Sequence, residues 1–119
     1  MDNTLLSFKQ FKINISALHN VYGEDLHNAE VETPEIVTAS DVINAIERYR
    51  KGIIAKQALV DWVNVLWFTD LYVYDEMHEN AISSVMTLLE TIDEDDTTFS
   101  DNEYESMITS LKNNFSCEL

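Results

Sequence analysis

The sequence predicts an all-α fold, a single-domain bundle of about five amphipathic helices covering residues 1–119. Three observations carry this. The chain has only two Gly and one Pro, too few for a turn-rich β architecture. Apolar residues recur at three- and four-residue steps in several separate segments. At 119 residues the chain can bury roughly two-thirds of its unfolded surface without metal or disulfide support.

In residues 4–22, Leu5, Phe8, Phe11, Ile15, Leu18 and Tyr22 follow helical steps, and Gly23 supplies a stop. These residues read as a helix, with a strand start at the β-branched patch INIS as the alternative. Residues 24–37 lack a clear period and contain Pro34, so they read as a connection. Ser40 is placed to cap a helix whose face is Val42, Ile43, Ile46 and Tyr49, ending at Gly52. A second clear helix runs from about Ala55 to Phe68 with Leu59, Trp62, Val63 and Leu66 on one stripe. A third starts near Asp75 and turns Ala81, Ile82, Val85, Leu88, Leu89 and Ile92 inward. Ser100 followed by Glu103 is a capping box, and behind it Tyr104, Met107, Ile108, Leu111 and Phe115 form the last stripe. The expected core is Ile46, Leu59, Trp62, Val63, Leu66, Ile82, Val85, Leu89, Ile108 and Leu111.

Charge is the unusual property. Twenty-two acids against seven bases leave a net charge of −15. Thirteen Asp and Glu lie between Gln57 and Leu111, where there is no Lys or Arg, whereas Arg48, Arg50, Lys51 and Lys56 cluster together. Such a field disfavours direct contact with nucleic acid or an anionic membrane and favours fast association with a basic protein. It also keeps a chain soluble, a simpler reading of the same number. The longest apolar stretch, LVDWVNVLWF, is interrupted by Asp61 and Asn64 and is too short to span a bilayer. No basic, apolar leader opens the sequence, and the single cysteine, Cys117, has no internal disulfide partner. A soluble cytoplasmic protein is the expectation.

Tests for chemistry are negative. The run TIDEDDTTFSDNEYES, residues 91–106, offers Asp93, Asp95 and Asp101 at calcium-loop positions. Thr98 stands where the loop needs Gly, however, and Tyr104 where it needs a bidentate Glu. His19 and His27 are too far apart in sequence to share one helical face, and His78 has only carboxylates for local company. Cys117 has no sequence-local base, no Gly-rich phosphate loop exists, and the carboxylates show no desolvated pair. No enzymatic activity, cofactor or metal is expected.

A binding surface is the remaining prospect. In WFTDLYVYDEMHEN, residues 67–80, aromatic side chains interleave with acids, a mixture suited to a partner rich in Arg and Lys. The candidate contact residues are Asp70, Tyr72, Tyr74, Asp75, Glu76 and Glu79, with Asp93, Glu94, Asp95 and Asp96 extending the acidic surface. The competing reading is that these aromatics simply pack: Trp62 and one of Trp67 or Phe68 in the core, Tyr72 between helices.

The segments SDVINAIERYRKGIIAKQALVDWVNVLWF and ENAISSVMTLLETID, spanning roughly residues 40–92, resemble small helical immunity proteins of bacterial polymorphic-toxin and contact-dependent growth inhibition systems. The matching elements are the helix ending in YRKG, the helix with LVDWVNVL and the helix with ISSVMTLL. Residues 1–37 add nothing to the resemblance, and no invariant functional motif is carried over. The resemblance implies a cytoplasmic antitoxin that binds one cognate toxin domain, often a nuclease, and blocks its active site. The acidity agrees, because a nuclease cleft is usually basic. The alternative is an acidic adaptor or regulatory subunit of a multiprotein complex.

Overall fold

Helices dominate the computed structural model, which describes residues 4–93 and 99–118. The helices are α1 (Thr4–Lys9), α2 (Ile15–Tyr22), α3 (Ala39–Arg50), α4 (Lys56–Phe68), α5 (Glu79–Glu90) and α6 (Asp101–Asn113). Two short strands, β1 (Glu35–Val37) and β2 (Tyr72–Tyr74), pair in parallel, with α3 and α4 forming the crossover between them.

The core follows the apolar spacing. All ten residues expected inside are buried, and Ile46, Trp62, Ile82 and Val85 are wholly inaccessible. Each large aliphatic side chain removed from water contributes about 1.5–3 kcal/mol before entropy is counted. α3 packs on α6 and α4 on α5, so the four later helices enclose one apolar interior.

Local chemistry sets the helix ends. α6 has the expected box: Ser100 Oγ accepts the Glu103 N–H at 3.2 Å and Glu103 accepts the Ser100 N–H at 2.9 Å. α3 is capped by Thr38 rather than Ser40. Thr38 Oγ1 accepts the Asp41 N–H, and Asp41 Oδ2 accepts the Thr38 N–H at 2.8 Å. A carboxylate three residues on makes Thr38 the better cap, since both orphan amides are satisfied together. At the other end the Ile53 N–H reaches Arg48 O and the Gly52 N–H reaches Tyr49 O, closing a Schellman turn. Gly52 takes φ +73° there, a conformation that costs a side-chain-bearing residue about 1–2 kcal/mol.

Elsewhere the sequence pattern and the fold diverge. The helical stripe of residues 4–22 is broken into α1 and α2. Phe11 adopts φ +63° between them, and Asn14 caps α2 by accepting the Ala17 N–H. The break lets Phe11 stack on Trp62, ring centroids 5.4 Å apart. Residues 24–37 contain a 3-10 turn, Leu26–Asn28, and then β1. The helix expected from Asp75 is a 3-10 turn, Glu76–His78, before α5 begins at Glu79. Phe115 is half-exposed instead of inward, because Asn114 takes a left-handed conformation and ends α6.

Candidate acidic interface around the parallel strand pair

α4 ends at Phe68, where Thr69 turns the chain. The Thr69 hydroxyl donates to Val65 O at 2.7 Å and accepts the Leu71 N–H at 3.3 Å, which delivers the chain into β2 with Leu71 buried. Extended backbone sends successive side chains to opposite faces. Tyr72 and Tyr74 therefore share the inner face, and Val73 points out.

This alternation corrects the assignment of Tyr72 as a surface anchor. Tyr72 is buried, and its hydroxyl donates to Leu5 O at 2.6 Å. Tyr74 is half-buried, donates to Leu66 O at 3.1 Å and stacks on Trp67 at 5.5 Å. Burial pushes both phenols far above their usual range, so each stays a neutral hydrogen-bond donor. Their residue types satisfied a surface-anchor pattern, but strand geometry gives them to the core.

The acids divide as well. Asp70, Glu76 and Glu79 are exposed. Asp75 is half-buried and structural: its Oδ1 accepts the Met77 N–H at 3.2 Å, its Oδ2 meets His78 Nδ1 at 3.1 Å, and its own N–H reaches Val37 O. The fold thus brings Asp70, Glu76 and Glu79 to the margins of β2 and uses Asp75 to turn the chain into α5. Glu94, Asp95, Asp96 and the side chain of Asp93 lie outside the described residues.

Sequence reasoning missed the apolar side chains that do face solvent here. Phe68, Val73 and Met77 are 46%, 45% and 78% exposed, and Ile36 on β1 is 54% exposed. Trp67, not Phe68, packs against the core. The YVY triplet alternates as a strand does and separates Val73 from its aromatic neighbours, but three residues are too short a run for periodicity to identify a strand.

A second missed residue lies beneath the strands. Lys9 is buried, with Nζ 3.2 Å from Glu35 Oε2, 3.1 Å from Asp41 Oδ2 and 2.8 Å from Ile36 O. One ammonium therefore ties α1 to β1 and to the capping box of α3. In sequence Lys9 reads as an ordinary last-turn cation.

Elsewhere, a groove of about 790 Å³ lies between the end of α3 and the start of α6. Its central cation is engaged: Arg50 binds Glu105 at 2.7 Å and Asp101 at 3.7 Å and lies over the Tyr104 ring at 5.8 Å. The Glu105 hydrogen bond raises the Arg50 pKa further. His19 and His27 each meet a backbone carbonyl, Gly23 O and Phe68 O. Cys117 is half-buried, and burial pushes its thiol up, away from thiolate character. Among the described residues no three His, Cys, Asp or Glu converge as metal ligands, and no helix is long and apolar enough to cross a membrane. Comparison with models of protein families, with curated proteins and with solved structures finds no match to this chain.

Proposed function

We propose that this chain is an immunity-type binding protein that neutralises a basic bacterial toxin domain, a nuclease, by stoichiometric occlusion of its active site. The observation that carries the reading is the outward surface of residues 68–79. In this stretch Phe68, Val73 and Met77 are exposed, Asp70, Glu76 and Glu79 are exposed as well, and there is no Lys or Arg. Apolar side chains supply contact area, while the acids steer a cationic partner and reject anionic ones such as nucleic acid or membrane. Complementary fields of this kind raise association toward about 10⁸–10⁹ M⁻¹s⁻¹ at low salt. Speed matters to an inhibitor made in the cytoplasm, where free toxin harms its host. The resemblance of residues 40–92 to helical immunity proteins supports the same reading.

The test is titration of the purified chain against toxin domains encoded beside its gene, with survival and nuclease activity as readouts. Protection should saturate at a fixed molar ratio. Protection at a small fraction of that ratio, with turnover, would point to an enzyme. Stable co-purification with a non-toxic protein and no protection would favour an adaptor role.

A further inference from the structure

The two strands bring together parts of the chain that are far apart in sequence, and both come from stretches free of positive charge. Ile13–Glu47 and Gln57–Leu111 contain no Lys or Arg. β1 lies in the first and β2 in the second, with Ile36 directly paired to Val73. The inner face of the ladder is sealed by Val37 at 0% exposure and Tyr72 at 4%. The outer face carries the Ile36–Val73 pair, each side chain about half in water. Parallel strands are normally covered on both faces, so this bare outer face is an exception. It is also held firmly, because Lys9 grips β1 through Ile36 O and Glu35. Exposed acids lead into and out of the ladder, Glu30 and Glu32 before β1, Asp70 before β2 and Glu76 after it, with the half-buried Asp75 directly following β2.

We infer that the outer face of the β1–β2 ladder, centred on Ile36 and Val73, is the apolar anchor point of a protein partner that presents a hydrophobic side chain flanked by Lys or Arg. Charge decides the occupant. A second copy would bring another −15 molecule with the same acidic margins against this face, and like-charge juxtaposition opposes that. A basic surface gains at the rim what the apolar pair gains at the centre. This deepens the binding reading above by adding β1, from the N-terminal residues 1–37 that the family resemblance leaves out. It rests on that reading only for the statement that the natural partner is a toxin.

The experiment uses the full chain and needs no toxin: random peptides displayed on phage are selected against it. Enriched peptides should carry a hydrophobic residue flanked by Lys or Arg. They should bind the double variant Ile36→Thr, Val73→Thr roughly tenfold or more weakly. Threonine is β-branched, so the strands are retained while the apolar face is lost. Binding should be unchanged in Ile53→Thr with Phe115→Thr, which alters apolar side chains exposed elsewhere. If the ladder variant does not fold, amide protection in the unaltered chain decides, with protection expected over residues 35–37 and 72–75. The inference is overturned if no peptide is enriched, if peptides lack basic residues, or if the protected amides lie elsewhere. Equal binding to the ladder variant, or a self-dimer abolished by it, also overturns it. Peptide binding at the ladder together with failed toxin protection would sink the toxin reading alone.

Discussion

The indole N–H of Trp62 donates to the carbonyl of Lys9 at 2.9 Å, joining the middle of α4 to the last residue of α1. Trp62 is fully buried and also stacks with Phe11, so its ring organises the junction between the N-terminal arm and the bundle. Trp62→Ala should lower unfolding free energy by roughly 3–5 kcal/mol, through the cavity and the unpaired carbonyl together. Urea unfolding followed by circular dichroism measures this. A variant as stable as the parent would show that the ring is not packed as described.

Lys9 offers a test of the buried cation. Removing it leaves the carboxylates of Glu35 and Asp41 without their shared partner. Breaking such a pair from one side costs about 3–5 kcal/mol in a dry interior. Here the two carboxylates keep 28% and 20% of their side-chain exposure, which places Lys9→Met toward the low end of that range. Chemical denaturation should show this loss. Lys9→Arg, which keeps the charge, should lose less.

Alkaline pH should unfold the protein through its buried phenols. Burial raises the pKa of Tyr104 from 10.0 to about 12, and it raises Tyr72 and Tyr74 further. A raised folded-state pKa means that the unfolded chain releases its proton first. The stabilisation is whole below pH 10 and drains away as pH climbs toward the folded values. Tyrosinate absorbance and helicity should therefore change together above that point. Tyr72→Phe should cost about 1–3 kcal/mol, because Leu5 O loses its donor. It should leave partner association rates unchanged, whereas a surface anchor would alter partner binding.

Charge reversal separates steering from solubility. Asp70→Lys with Glu76→Lys and Glu79→Lys should slow association with the proposed basic partner and flatten its dependence on salt. All three side chains are exposed, so the fold should tolerate the change. The triple variant Asp93→Lys, Asp95→Lys, Asp96→Lys is expected to act in the same direction. Stopped-flow kinetics at low salt provide the measurement, and unchanged rates would reduce the acids to a solubility role.

The amino-acid sequence by itself determined the helical interior and most of its punctuation. Ile46, Trp62, Val85 and Leu111 are legible because helical periodicity is local: the residues that define a stripe lie within a few turns of one another. The Ser100–Glu103 box and the stop at Gly52 are legible for the same reason. The acidic imbalance is a property of composition and needs no fold to be read. Tertiary structure alone decided that Glu35–Val37 and Tyr72–Tyr74 are strands, because three residues carry almost no period and the stabilising hydrogen bonds come from a partner far away in sequence. That pairing turned Tyr72 inward and left Val73 beside Ile36 in solvent. It also buried Lys9, whose partners Glu35 and Asp41 are brought to it only when β1 and α3 dock against α1. Phe11 likewise leaves its helical stripe and stacks on Trp62, a contact between distant segments that local periodicity does not carry. Short-range spacing encodes which face of a helix is apolar, whereas the site depends on contacts whose free energy exists only after the chain has closed on itself.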